Sequence, residues 1–159
     1  MRELILLRHA NAEPAQPGQA DADRPLSLRG QAEAEAAGQW LKAQGLKPTR
    51  VLCSPAKRTR ETLERVLQVL GFAEVRYEPR IYDALPGTLM TVLDEHADVD
   101  RVLMVGHNPG FEQTAALLHS GQSGDFRGMP TAGIAVIALP KEATMLEPGI
   151  GKLTQFWWP

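Results

Sequence analysis

A single cysteine, Cys53, occurs in 159 residues, which leaves no partner for an internal disulfide. It ends the short run Arg50-Val-Leu-Cys53 and reads there as a small buried hydrophobe. Aromatic residues are sparse, at 6%, and neither sign of charge dominates: 17 Lys and Arg face 19 Asp and Glu, a net of −2. That balance gives no electrostatic basis for binding nucleic acid or a membrane surface. Long apolar runs are missing too. None approaches the ~20 residues that span a bilayer, and Leu4 to Leu7, after Arg2 and Glu3, is too short for a signal-peptide core. The expected location is therefore the cytoplasm. His, Cys and carboxylates form no closely spaced set, so no metal site is expected. A glycine-lysine phosphate loop is also missing, which argues against nucleotide triphosphate chemistry. No feature of the sequence calls for a cofactor. The remainder is ordinary for a soluble globular chain of one domain, with 43% hydrophobic and 23% charged residues.

What the chain does have is alternation. The run Leu4-Ile-Leu-Leu7 predicts a strand buried on both faces. Asn11 to Arg24 is loop chemistry, rich in Ala, Pro, Gly and Asp. Ser27 is a plausible N-cap for a helix with Leu28, Ala32, Glu35, Ala36, Trp40 and Leu41 at mostly helical spacing, stopped at Gly45. Arg50 to Cys53 is a second strand. Ser54-Pro55 reads as a cap followed by proline at the first helical position. The helix then runs from Ala56 to about Leu70, with Leu63, Val66, Leu67 and Leu70 inward. Glu74 to Tyr77 is a weaker strand. Thr88 to His96 is a third helix, Arg101 to Val105 a strand, and Phe111 to Leu118 a fourth helix. Ser120 to Pro130 reads as a glycine-rich loop, and Gly133 to Leu139 and Lys152 to Trp158 as the last strands. Alternating strands and helices predict a three-layer α/β/α sandwich with a mostly parallel sheet. The last two strands have no helix between them and are expected to pair antiparallel at one edge.

Three strands stop at residues that carry chemistry. The first ends in Arg8-His9, the second in Cys53-Ser54-Pro55 just before Arg58, and the fourth in Gly106-His107-Asn108. In a parallel sheet these ends share one edge, where open α/β sheets place their ligands. Arg8, His9, Arg58 and His107 can therefore converge. Two guanidinium forks and two imidazoles suit a phosphoryl group, and the Ser54-Pro55 and Asn108-Pro109 junctions can each lend a helix N-terminus. One histidine attacking phosphorus would have to be neutral, which nearby arginines favour. The other would stabilise the phosphoryl oxygens as a donor.

Five stretches in order, spread over nearly the whole chain, resemble the histidine phosphatase (phosphoglycerate-mutase-like) superfamily, and most closely its small SixA-type branch of phosphohistidine phosphatases. They are Leu7-Arg8-His9-Ala10; Asp23-Arg24-Pro25-Leu26-Ser27 with Arg29-Gly30-Gln31-Ala32; Ser54-Pro55 with Arg58 and Thr62; Ile81-Tyr82-Asp83-Ala84; and Val105-Gly106-His107-Asn108-Pro109-Gly110. The resemblance implies one domain over residues 1–159, with His9 as nucleophile and Arg8, Arg58 and His107 binding the phosphoryl group. It also implies Arg24 near the pocket rim, and Asn108 is taken with it as a substrate contact. Two departures stand out. The superfamily's usual Arg-His-Gly is Arg-His-Ala here, so the local turn should be ordinary. The candidate general acid, Asp83, reads equally well as a turn or cap residue.

The remaining candidates have plainer readings. His96, among Asp94, Glu95, Asp98 and Asp100, reads as a solvated helix-end residue. His119 reads as a helix-end residue favoured by the dipole. Lys57 and Arg60 are expected to face solvent, and one of Trp157 and Trp158 to enter the core. The expected activity is metal-independent hydrolysis of a phosphorylated substrate. That substrate is either a protein, such as a phosphohistidine-carrying domain, or a small phosphomonoester. A binding module that kept only the phosphate pocket is the remaining alternative. A mutase is disfavoured, because its intermediate must be shielded from water.

Overall fold

Strand β1 (Glu3–Arg8) lies at the heart of the structure, a computed structural model that describes residues 1–124 and 128–159. Leu4, Ile5, Leu6 and Leu7 are fully buried, as an apolar run in a two-sided sheet requires. The other elements, in chain order, are α1 (Leu28–Ala43), β2 (Arg50–Cys53), α2 (Lys57–Leu70), β3 (Glu74–Tyr77), α3 (Pro86–Asp94), β4 (Arg101–Gly106), α4 (Gly110–Ser120), β5 (Ile134–Ala138) and β6 (Lys152–Trp157). One-turn 3-10 segments occur at Asp21–Asp23 and Pro79–Ile81.

The six strands run in the order β3-β2-β4-β1-β5-β6. The first four are parallel, while β5 runs antiparallel to both β1 and β6. Alternate residues of β1 serve opposite layers. Leu4 and Leu6 face α3 and α4 with Leu89, Val92, Leu93 and Phe111. Ile5 and Leu7 face α1 and α2 with Ala34, Ala37, Leu41, Leu63 and Val66. The three-layer architecture and its antiparallel edge match the expectation from sequence. Each fully buried Leu or Ile contributes about 1.5–3 kcal/mol relative to an exposed one.

Four local expectations need correction. Helix α1 buries Gly30, Ala34, Ala37, Gly38 and Leu41, while Leu28 is 82% exposed. The buried face is built of small residues because α1 packs close on α2: a Cβ on Gly38 would lie 3.1 Å from the Val66 backbone. Small residues carry little hydrophobic signal; of the larger ones Leu41 is buried and Trp40 packs against the core, while Leu28 points outward. Helix α2 begins at Lys57, with Ala56 as N-cap, so Pro55 lies before the helix rather than in its first turn. Its buried stripe, Leu63 and Val66, continues toward the N-terminus as Arg58, Thr59 and Thr62, while Leu67 and Leu70 are only half-buried.

The third correction concerns His96, which is buried rather than solvated. Its Nδ1 accepts from Nη1 of Arg50 at 3.1 Å, and Arg50 in turn pairs with Asp98 and Glu74. Burial and the Arg50 charge lower its pKa. The fourth concerns only the cap half of the Asp83 reading: Asp83 lies in a turn, as the other half had it, and does not cap α3. Leu85 holds the N-cap position, and Asp83 sits in a turn at φ +52°.

Other local readings stand. Ser27 caps α1 by accepting from the Gly30 amide at 3.0 Å, and Cys53 is fully buried, its thiol pushed up to about 12 by desolvation. Trp157 stacks on Trp40 at 5.4 Å, and Trp158 is 53% exposed. His119 Nδ1 donates to the Ala115 carbonyl at the end of α4. Part of the glycine-rich loop from Ser120 to Pro130, residues 125–127, lies outside the described residues. Among the described residues no helix is long and apolar enough to cross a membrane.

Candidate active site

Sheet register brings the three motif-bearing strand ends together. Arg8 pairs with Gly106 across β1 and β4, and Cys53 with Val105 across β2 and β4. The next residues, His9, His107 and Ser54, leave the sheet side by side. Their main chains stay tied to it, with the His9 amide donating to Gly106 O at 2.9 Å and the Ser54 amide to Val105 O at 3.1 Å. Gly106 must be glycine: a Cβ would lie 2.5 Å from the Phe111 ring that underpins this edge. A cleft of about 310 Å³ opens over these ends, lined by Arg8, His9, Arg24, Arg58, Asp83 and His107 and edged by Asn11, Ala12, Asn108 and Thr131. Every sequence-predicted site residue therefore reaches one cleft.

His9 is 9% exposed, and its Nδ1 lies 2.7 Å from the Ala10 carbonyl oxygen. A carbonyl only accepts, so Nδ1 carries the proton and Nε2 carries the lone pair. Burial is the largest influence on its pKa and pushes it down to about 4; the bond to Ala10 opposes this, and Arg58, Arg8 and Arg24 lower it further. The imidazole is thus neutral at pH 7. The Ala10 amide is anchored by Thr62 Oγ1 at 3.0 Å, and Thr62 donates to the Arg58 carbonyl one turn earlier on α2. That pair locks the end of β1 to the helix that carries Arg58. Ala10 itself avoids positive φ, as expected for alanine in place of glycine.

His107 lies beside His9, with ring centroids 5.5 Å apart. Its Nε2 sits 2.8 Å from Ser54 Oγ. Ser54 is fully buried, and its oxygen already accepts from the Ala56 amide at 3.4 Å. With its proton and a second lone pair, the hydroxyl can pair with either tautomer of His107; in both, Nε2 is committed to Ser54 and Nδ1 is left without a partner among the described residues. Desolvation, followed by Arg58 and His9, lowers its pKa to about 3.

The cations are held from outside the cleft. Arg8 Nη1 donates to Met129 O at 2.9 Å. Arg58 gives Nη1 to the Asp21 carbonyl at 2.8 Å and Nη2 to Asp21 Oδ2 at 3.0 Å. Arg24, at the rim, donates to Asp21 and to the Glu13 carbonyl. Asn108 edges the cleft, but both its amide protons are given to Glu112 and Met129 O, and its oxygen accepts from the Glu112 amide. It braces the start of α4. Asp83 is exposed and makes no side-chain hydrogen bond among the described residues. Lys57 is half-buried and not part of the cleft lining, and Arg60 turns back to the Pro55 carbonyl.

Sequence reading missed Asp21 and the place of Tyr82. Tyr82 meets His107 edge-on at 5.3 Å, lies under the Arg58 guanidinium at 5.9 Å, and donates its hydroxyl to Asp21. An Asp in a Pro- and Gly-rich loop looks like any turn residue, so no local signal marks it.

A depressed His9 pKa makes a testable statement. Between pH 6.5 and about 4 the unfolded chain binds a proton at His9 that the folded chain excludes, so stability falls as pH drops through that window. Urea unfolding as a function of pH is expected to show a shallower acid loss in His9→Asn than in the wild type. Direct NMR titration of the ring should give a midpoint well below 6.5; a midpoint near the free value would contradict a desolvated, neutral His9.

Comparison with known proteins points the same way as the geometry. The family model described as "Histidine phosphatase superfamily (branch 1)" matches residues 4–100. An uncharacterized protein of Mycobacterium tuberculosis strain H37Rv is 39% identical, over 96% of this chain and 99% of that one. The phosphohistidine phosphatase SixA of Escherichia coli K12 is 31% identical, over 86% of this chain and 85% of its own. The crystal structure of a SixA-type protein of Agrobacterium tumefaciens superposes with a TM-score of 0.86 at 30% identity, covering 99% of this chain and 98% of that one. The chain belongs to the histidine phosphatase superfamily, in its SixA-type branch.

Proposed function

We propose that this protein removes phosphoryl groups from phosphohistidine side chains of other proteins, passing each through a phosphohistidine formed on Nε2 of His9. Three nitrogens carry this reading. Nε of Arg8, Nε of Arg58 and Nδ1 of His107 are the buried side-chain N and O atoms without a hydrogen-bond partner among the described residues. Buried donors are almost always paired, and these three belong to residues whose strand and helix ends meet at one cleft. A phosphoryl group brings the acceptors they lack, with guanidinium geometry matched to its oxygens.

In the first step the Nε2 lone pair of His9 attacks phosphorus and the bond from phosphorus to the substrate nitrogen breaks. Arg8, Arg58 and the Nδ1–H of His107 hold the equatorial oxygens. His9 keeps its Nδ1 proton, so the phosphorylated ring is cationic and the Ala10 carbonyl stabilises it. Water then attacks phosphorus, the P–Nε2 bond breaks, and His9 leaves as a neutral imidazole. Arginines supply the positive charge, and activity is expected to survive EDTA; a large loss restored by one added metal would contradict this.

Two features favour a protein phosphohistidine. Helix α3, the main element between β3 and β4, is held on the sheet by Leu89, Val92 and Leu93 and is not free to serve as a lid. A cleft open at the sheet edge admits a side chain presented by another protein. Second, a phosphohistidine protonated on its ring expels neutral imidazole, whose conjugate acid has a pKa of about 6.5, whereas an alkyl ester expels an alkoxide about as basic as hydroxide (water ~15.7). The first leaving group departs without a general acid; the second needs one.

A small-molecule phosphomonoesterase is the second reading, and Asp83 favours it. Its carboxylate is free at the cleft, on a backbone at φ +52° that is costly for a non-glycine residue. Kinetics on a phosphohistidine peptide, an aryl phosphate and an alkyl phosphate separate the two. We expect kcat/KM for the peptide to exceed that for the alkyl ester by orders of magnitude, and Asp83→Asn to slow the alkyl ester more than the peptide. Comparable rates on both, collapsing together in Asp83→Asn, would favour the phosphomonoesterase.

A further inference from the structure

Asp21 lies on a 3-10 turn in the loop between β1 and α1, and its side chain is 52% exposed. Its surroundings are nonetheless built. Oδ1 accepts from Arg24 Nε at 3.0 Å, Oδ2 accepts from Arg58 Nη2 at 3.0 Å and from the Tyr82 hydroxyl, and the main-chain oxygen accepts from Arg58 Nη1 at 2.8 Å. The hydrogen bond from Tyr82, with the Arg58 bond and charge, holds the carboxyl down at about 2 against the opposing effect of desolvation. One residue thereby ties together two cations of the cleft and the ring that abuts His107. Asp21 takes the Nη1–Nη2 edge of Arg58, and the Nε of the same guanidinium is buried and unpaired.

We infer that Asp21 is a positioning residue: it grips Arg58 by its outer edge so that the Nε side is presented to the phosphoryl group, and it keeps Tyr82 against His107. This rests on the reading that Arg58 binds the phosphoryl group. Arginine is a many-rotamer side chain, and fixing it before substrate arrives spares the cost of ordering it during binding. Plain electrostatics makes the opposite prediction. A carboxylate beside an anion site repels a phosphoryl dianion, so its removal by itself should tighten binding and speed turnover.

The sign of the effect therefore tests the inference. Asp21→Ala and Asp21→Asn are compared with the wild type in turnover and vanadate affinity, and again in an Arg58→Ala background. Positioning through Arg58 predicts that Asp21→Ala lowers kcat by roughly 10- to 100-fold and weakens vanadate. Asp21→Asn, which keeps an acceptor, should recover part of the loss. In the Arg58→Ala background Asp21→Ala should cost clearly less than in the wild type, because only its hold on Tyr82 and Arg24 is then left to lose. Equal losses in both backgrounds, or faster turnover and tighter vanadate binding, would overturn it. The ¹⁵N signal of Arg58 Nε supplies a readout independent of activity. It should be a single sharp resonance in the unliganded wild type and broadened or shifted in Asp21→Ala, and an unchanged signal would refute the positioning even in an active enzyme. Failure of the wild type to hydrolyse any phosphorylated substrate would instead count against the proposed function, while the Arg58 signal still decides whether Asp21 fixes the guanidinium.

Discussion

Replacing His9 by alanine is expected to reduce turnover by at least about 10³-fold, the scale of losing a nucleophile outright. The expectation rests on proton placement. Nδ1 is committed to the Ala10 carbonyl, and burial keeps the ring neutral, so Nε2 holds a lone pair at pH 7. In His9 a carbonyl partner, which can only accept, fixes this arrangement. His107 is also neutral, but its Nε2 is engaged by Ser54. Because alanine leaves a void beside buried neighbours, His9→Asn serves as a second variant. Its amide can still donate to Ala10 but offers no nucleophilic nitrogen for attack. Both variants should retain vanadate binding through Arg8 and Arg58. Loss of vanadate binding together with turnover would mean that the site had collapsed, and near-normal turnover in His9→Asn would exclude His9 as nucleophile.

Arg58→Lys is the second large effect, and its sign does not depend on charge. Lysine keeps the cation, but a guanidinium serves two sides at once, with one edge on Asp21 and Nε left over. An ammonium cannot reach both the Asp21 oxygens and a phosphoryl oxygen with the same geometry. Arg58 is 4% exposed and lies over Tyr82, so a lysine that snorkels toward Asp21 also leaves the ring beside His107 unsupported. Losing one transition-state donor of this kind costs roughly tenfold or more in kcat. Arg58→Ala should be worse still, because it removes the cation as well as the fork. A rate within twofold of wild type in Arg58→Lys would place Arg58 outside the phosphoryl contacts.

Long-range order was easier to read from sequence than local detail. Four aliphatic residues before Arg8-His9 sufficed to identify a two-sided strand, and the alternation of strands and helices gave the three layers and the shared edge. The convergence of Arg8, His9, Arg58 and His107 follows from topology alone, since parallel strands present their carboxyl ends together. What stayed hidden depends on packing rather than pattern. The buried face of α1 is made of Gly30, Ala34, Ala37 and Gly38, whose value lies in close helix approach. His96 is buried because Arg50 crosses from a neighbouring strand to meet it. Asp21 is invisible because its partners, Arg58 and Tyr82, lie 37 and 61 residues away. Asn108 sits where the motif suggested, yet its hydrogen bonds brace Met129 and Glu112, a detail that only three-dimensional bookkeeping reveals.

The most direct test is to trap the intermediate. Wild-type protein mixed with a ³²P-labelled phosphohistidine peptide and quenched within a turnover should carry label that survives base and is lost in acid, as a phosphoramidate does, and peptide mapping should place it on His9. His9→Asn under the same conditions should carry none. Full label retention in His9→Asn, or label that is stable to acid, would contradict a phosphohistidine on His9.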